Sequence, residues 1–190
     1  MLMKKIFTSL FLLAGLFTFT GCDSDDDITS VTIKTSLEQN YNISVAETGP
    51  TTISTTRTFD AELDPEVAKF GDRIDSYKLD SITLEFSSYV GAPDIDLTAA
   101  AFMIKATDGT ELVAFTLVPT TGYQSINIKE FDDKNVRITV TLDDNSVGRI
   151  ADALLEDNEI DLLFSATVDG QPAQFTLETK MYLQVTGSLL

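Results

Sequence analysis

Hydrophobic and polar residues alternate with a period of two through most of this chain, which predicts half-buried strands rather than helices. The cleanest run is Val136, Ile138, Val140 and Leu142, alternating with Arg137, Thr139 and Thr141. It is expected to be a central strand buried on one face. Near the C-terminus Ile160, Leu162, Phe164, Ala166 and Val168 alternate with Asp161, Ser165 and Thr167. Phe175, Leu177, Met181, Leu183 and Val185 resume the pattern. Asp169-Gly170 separates those two runs, and Asp108-Gly109 separates 95–106 from 111–118. Each pair predicts a hairpin, because a type I′ turn places both central residues at positive φ.

Further strands are predicted at 30–37, 41–46 and 51–61, where Val31, Ile33, Ile43, Val45, Ile53 and Phe59 alternate with polar residues. Tyr77 and Leu79 share one parity; Ile82, Leu84 and Phe86 share the other. A bulge near Asp80-Ser81 lets both sets face one core. Residues 125–131 are a weaker strand candidate. Two short helices interrupt the strands. Asp64-Pro65-Glu66 offers an N-cap, a proline at N1 and an acid in the first turn, with Gly71 as the stop. After Asp144-Asn145-Ser146, the residues Val147, Ile150, Ala151 and Leu154 form one apolar stripe suited to covering the end of a sheet.

Short strands, threonine-rich faces and no fixed-period repeat predict an all-β fold. The expected architecture is an antiparallel β-sandwich of about nine to ten strands with two short helices. A closed barrel is the alternative. A transmembrane barrel is disfavoured, because the strands lack long lipid-facing bands and aromatic girdles.

Composition narrows the function. The 190 residues suffice for one domain, or at most two small ones. Thirty acidic residues against 13 basic ones give a formal charge of −17, a field that repels phosphate backbones and argues against nucleic acid as a partner. The chain has no histidine, so the commonest general base and transition-metal ligand are missing. A Ser-His-Asp or Cys-His site is excluded. No G-x-x-x-x-G-K-[ST] or G-x-G-x-x-G string occurs. Tryptophan is absent too, which weakens any sugar-stacking platform, and the one cysteine permits no internal disulfide.

That cysteine belongs to the most distinctive local stretch. Lys4 and Lys5 precede an apolar run over 6–20, which falls short of the roughly 20 residues of a membrane-spanning helix. The run ends in Phe19-Thr20-Gly21-Cys22. This stretch resembles the lipobox signal peptide of bacterial lipoproteins, in which the cysteine, here Cys22, is lipidated and becomes the new N-terminus. Phe19, where an aliphatic residue is more usual, is the departure. The alternatives are a transmembrane helix or an ordinary cleaved signal peptide, for which Thr18-Phe19-Thr20 is a poor A-x-A site. Ser24-Asp25-Asp26-Asp27 then resembles the acidic export signal of surface-exposed lipoproteins in Bacteroidota. Its plain alternative is a solvated, flexible tether.

The resemblance implies a signal peptide over 1–21, a lipidated Cys22 with an acidic tether over 22–29, and a β-sandwich domain over 30–190. It implies an outer-membrane lipoprotein held by palmitate-type acyl chains and exposed at the cell surface, with a periplasm-facing orientation as the alternative. Cleavage would remove Lys4 and Lys5 and no acid, leaving a charge of −19. The remainder looks like the small β-sandwich lipoproteins of unknown function frequent in that group.

Candidate chemistry is sparse. Carboxylates cluster at Asp60/Glu62/Asp64/Glu66, Asp94/Asp96, Asp132/Asp133, Asp143/Asp144 and Glu156/Asp157/Glu159. Such clusters can bind calcium or hydrolyse glycosides, but these fall at expected turns and helix starts, where aspartate satisfies free backbone N–H groups. Asp23–Asp27 begins like an EF-hand loop, yet Ile28 and Lys34 stand where its glycine and final glutamate belong. No metal and no cofactor are expected. Tyr89, beside Gly91-Ala92-Pro93, and Tyr123, in Thr120-Thr121-Gly122-Tyr123-Gln124, are the candidate ligand-binding residues, as loop tyrosines suited to sugars or proteins. Their alternative is a rim tyrosine whose ring packs on the sheet. Asp80-Ser81-Ile82 matches a short bacterial O-glycosylation pattern, as chance alone would supply in so Asp- and Ser-rich a chain.

These features predict a non-enzymatic, lipid-anchored envelope protein that binds a glycan or protein through loops at the sandwich end away from the tether. The alternative is a structural or accessory subunit of an envelope complex or surface fibre. A carboxylate-dependent glycosidase is the third reading. A concave groove with exposed tyrosines would mark the first, and an exposed sheet edge or flat apolar patch the second. Two carboxyl groups facing each other across a cleft, about 5–9 Å apart, would mark the third.

Overall fold

Two antiparallel sheets pack face to face, each contributing its alternating apolar side chains to one core. The computed structural model describes residues 29–46, 48–117, 125–170 and 172–189. Cys22, the lipobox and the acidic tether up to Ile28 lie outside them, as does Tyr123. The strands are β1 (Thr29–Val45), β2 (Thr51–Asp60), β3 (Ile74–Gly91), β4 (Asp96–Lys105), β5 (Glu111–Thr116), β6 (Ile126–Asn127), β7 (Arg137–Val140), β8 (Glu159–Asp169) and β9 (Ala173–Leu189). The helices are α1 (Ile128–Asp133) and α2 (Asp144–Asp157). One sheet has the order β1-β9-β3-β7; the other is β2-β8-β4-β5, with β6 added to β4. The fold is an all-β antiparallel sandwich, as the alternation predicts.

Period two carries the core. Leu37, Tyr41, Ile43 and Val45 of β1 and Leu177, Met181, Leu183 and Val185 of β9 are buried from one sheet; Ile160, Leu162, Phe164, Ala166 and Val168 of β8 are buried from the other. The 30–37 and 41–46 runs are one strand, because their apolar residues all share odd parity. In β3 the register slips between Leu79 and Ser81. The bulge turns Tyr77 and Leu79 and then Ile82, Leu84 and Phe86 onto the core side, where all five are buried.

Helix α2 follows its stripe. The Asp143 side chain accepts from the Ser146 amide at 2.9 Å, and Asn158 closes the helix in the left-handed region at φ 58. Ile150, Ala153 and Leu154 are buried, with Val147 and Ala151 packed beside them. Asn158 also accepts from the Tyr77 hydroxyl at 2.9 Å, tying the helix end to β3. Among the described residues no helix is long and apolar enough to cross a membrane.

Five local expectations need correction. Asp169-Gly170 makes no hairpin: β8 and β9 belong to different sheets, and the chain crosses the sandwich there. The β1–β2 connection crosses beside it, with the Gly49 amide donating to the Gly170 carbonyl. Asp108-Gly109 does close the β4–β5 hairpin, but only Gly109 has positive φ, at +88. The Gly109 amide donates to Ala106 O and the Ala106 amide to Thr110 O, both at 2.9 Å, a three-residue loop with a glycine bulge rather than a type I′ turn.

Residues 64–71 start as a helix and stop after one turn. Asp64 caps the Glu66 amide at 2.8 Å. Val67 and Phe70, three apart, are both buried, which favours the tighter i+3 bonds Phe70 N to Val67 O and Arg73 N to Phe70 O. This segment packs closely on β9: a Cβ at Gly187 would stand 2.6 Å from the Arg73 carbonyl and the Phe70 ring. The second helix is instead α1: of the expected 125–131 strand only Ile126–Asn127 pairs, as β6, before the chain turns into the helix. Asn127 caps it by accepting from the Glu130 amide at 2.8 Å. Finally, the 136–142 run forms β7, an edge strand of four residues rather than a central one, with Ile138 and Val140 half-buried.

Candidate functional site

Strand register defines the two ends of the sandwich. Thr29 pairs Leu189 at one end, and Val45 pairs Ala173, which pairs Gly91, at the other. The first described residue therefore stands about 50 Å along β1 from the Tyr89 end, at roughly 3.3 Å per residue.

Tyr89 is built into that far end. The register of β3 slips between Ser87 and Val90, and Ser88 takes positive φ at 57. Asp132 of α1 accepts from the Tyr89 amide at 2.8 Å. The Tyr89 hydroxyl donates to the Ala92 carbonyl at 2.6 Å, and its ring, half-buried, packs against the core. Burial, with Asp94 adding to it, pushes the phenol pKa up. Tyr89, in the bulged end of β3 rather than in a loop, thus clasps the turn that follows the strand, and the neighbouring Val90 is the apolar side chain turned outward, 66% exposed. The other described tyrosines are engaged as well. Tyr41 and Tyr77 are buried, and Tyr182 lies half-buried beside Lys180 on the outer face.

The carboxylates act mainly as caps and turn closers. Asp60 accepts from the Glu62 amide at 2.9 Å and Asp108 from the Thr110 amide at 2.7 Å. Asp96 accepts from Ser125 Oγ at 2.5 Å and Asn127 Nδ2 at 3.0 Å, fastening β6 to β4. The side-chain bond from Ser146, and then its backbone bond, hold the Asp143 carboxyl below its ordinary pKa. Among the described residues no three carboxylates converge as a metal site. Asp80-Ser81-Ile82 lies in the β3 bulge, where Ile82 is buried and Asp80 accepts from Gln184 at 2.9 Å.

Two surface features emerge only with the strand order. The outer face of the first sheet carries charges from four strands: Glu38, Lys180, Glu178, Glu85 and Arg137 surround a shallow depression with Asn40, Thr83 and Thr179. Lys180 pairs with Glu38, and Arg137 pairs with Glu85 at 2.9 Å. Glu178, directly opposite Glu85 in register, accepts from Ser87 at 2.6 Å. These carboxylates sit on an open sheet face, each engaged. The signal in sequence was the polar parity of β1, β3 and β9, but parity does not say which strands are neighbours.

The second feature is the outer edge of β1. Among the described residues β1 pairs only with β9, in continuous register from Thr29 to Val45 without a bulge. Its 17 residues contain no proline. Beside the edge runs a groove of about 260 Å³ between Ser36–Gln39 and Phe59, Asp60, Leu63, Asp64 and Pro65. Leu63 on its rim is 75% exposed. Gln39 bridges to the Thr58 carbonyl at 2.8 Å, and Thr35 donates to Asp64.

No family model matches this chain, and no curated protein matches it. Among solved structures it is similar to the decameric BFDV capsid protein, with 13% identity over 81% of this chain and 98% of that one, at a TM-score of 0.46. An infectious bursal disease virus VP2 subviral particle matches with 15% identity over 89% of this chain and 39% of that one, TM-score 0.36. The Desmodium yellow mottle tymovirus protein matches with 10% identity over 100% and 98%, TM-score 0.35. At these scores the fold assignment rests on the chain's own two sheets.

Proposed function

We infer that this is a non-catalytic, lipid-anchored outer-membrane protein that serves as a structural or accessory subunit, making protein contacts through the edge of β1. The supporting observation is that edge: 17 residues long, free of bulges and, among the described residues, unpaired on its outer side. Natural sheets normally shorten, twist or cover such edges, since a free row of N–H and C=O groups templates pairing with another chain. Cys22 is the anchor, and the linker of seven residues from Cys22 to Thr29 reaches at most about 25 Å. The engaged carboxylates weigh against glycoside chemistry.

A glycan or protein ligand at the far loops is the second reading, favoured by exposed Val90 beside the braced Tyr89. Photo-reactive residues at Thr32, Asn40 and Val90, placed one at a time in the full chain in cells, separate the two. Adducts from Thr32 and Asn40 support edge contact. Adducts from Val90 alone would replace it with the far-loop reading.

A further inference from the structure

The free edge of β1 is complementary to itself. A two-fold axis at Ser36 and perpendicular to the sheet would pair each β1 residue with the one equally far beyond Ser36 in a second copy. On the solvent face this sets Lys34 opposite Glu38 twice, Thr32 opposite Asn40 and Ser30 opposite Asn42. On the core side it sets Thr35 opposite Leu37 and Ile33 opposite Gln39. Neighbouring axes lack this match. An axis at Thr35 or Leu37 leaves both charges without an opposite, and one at Lys34 or Glu38 sets a charge against its own copy. Lys34 is exposed and has no ion pair among the described residues, whereas Glu38 already carries Lys180.

Leu63 gives a second, independent reason. It lines the groove that includes Ser36, so the same axis brings both grooves, and both exposed Leu63 side chains, to one side of the joined edges. Asp60 and Asp64 line the groove too, and their repulsion across the axis opposes the pairing, less so as salt rises.

We propose that two copies of this chain pair edge to edge through β1, antiparallel about Ser36, so that two four-stranded sheets become one of eight. This rests on the reading of β1 as the contact surface. The two Thr29 residues then stand roughly 45–50 Å apart at about 3.3 Å per residue. A pair anchored in one bilayer therefore lies with its strands along the membrane.

Ser36→Cys in the full-length chain tests the register. Residues directly opposite in an antiparallel pair have Cα atoms about 4.5–5.5 Å apart, within disulfide reach. Mild oxidation of envelopes at physiological salt should yield a linked homodimer above the background set by the unsubstituted chain with Cys22. Ser30→Cys alone should not link, but Ser30→Cys with Asn42→Cys should. Adding Lys34→Glu or Glu38→Lys to Ser36→Cys should each lower linking on the order of tenfold. Co-expressing those two double variants should restore it, because every cross-pair is then opposite in charge. No linking by a folded Ser36→Cys chain, linking by Ser30→Cys alone, or indifference to both reversals would overturn the proposal. Linking of Ser36→Cys to a different protein would overturn the homodimer and leave β1 as a contact edge. An absence of β1 adducts of any kind would remove both.

Discussion

The Tyr41 hydroxyl donates to the main-chain carbonyl of Leu162 at 3.0 Å, linking β1 of one sheet to β8 of the other through the core. The ring meanwhile packs on Phe164, with centroids 6.3 Å apart. Tyr41→Phe keeps the ring and removes the donor, so it should cost about 1 kcal/mol in denaturant unfolding. An unchanged midpoint would mean the bond adds nothing net to sheet packing.

The same burial makes alkaline stability a readout of the core. Burial raises the Tyr41 phenol well above its ordinary pKa, against a smaller opposing effect of Arg57. Burial first, then the Glu62 and Asp60 carboxylates, pushes Tyr77 up to about 12. The folded chain thus holds protons that the unfolded chain releases near pH 10. This contribution is fully present below about pH 10 and falls as pH rises through about 12. Unfolding titrations should show that fall, and the Tyr41→Phe/Tyr77→Phe double variant should flatten it. An identical slope in the double variant would contradict the assignment.

Thr179 is a defect in an otherwise apolar row of β9. It is 1% exposed, and among the described residues its hydroxyl has no hydrogen-bond partner. Leaving a buried hydroxyl unsatisfied costs about 1–3 kcal/mol. Thr179→Val, nearly isosteric and equally β-branched, should therefore raise the melting temperature by a few degrees. A fall would place an unseen partner on that oxygen.

Position within the sheet sets what a truncation costs. Leu84 in β3 is fully buried between β9 and β7, whereas Ile138 in β7 is half-buried at the edge. Leu84→Ala should cost about 2–5 kcal/mol and Ile138→Ala less than half as much, measured by chemical denaturation. Equal losses would mean that β7 is covered in solution.

Ile138 also marks what the sequence could and could not disclose. Parity tells which side of a strand is apolar, so the β3 bulge could be read from Tyr77 and Leu79 against Ile82, Leu84 and Phe86. The α2 stripe and the Asp108-Gly109 hairpin were legible for the same local reason. Neighbours were not. Asp169-Gly170 looks locally like Asp108-Gly109, yet β8 is taken up between β2 and β4, and β9 between β1 and β3. The α1 helix had a signal that the hydrophobic reading passed over: Asn127 followed by Glu130 is a helix-start pair. The Glu38–Lys180 and Glu85–Arg137 pairs, and the free edge of β1, depend wholly on strand order. Tyr89 reads as a loop tyrosine in sequence, but it lies in the bulged end of β3 and its hydroxyl is taken by Ala92.

The proposed anchoring through Cys22 underlies the whole reading, and the intact mass of the mature protein from cell envelopes tests it most directly. The expected species begins at Cys22 and carries a thioether-linked lipid with its acyl chains, enough for stable attachment at about 0.8 kcal/mol per buried CH₂. Cys22→Ala should accumulate as an unprocessed, unlipidated precursor. A mature chain with a free Cys22 thiol, or one that begins at any other residue, would contradict the account.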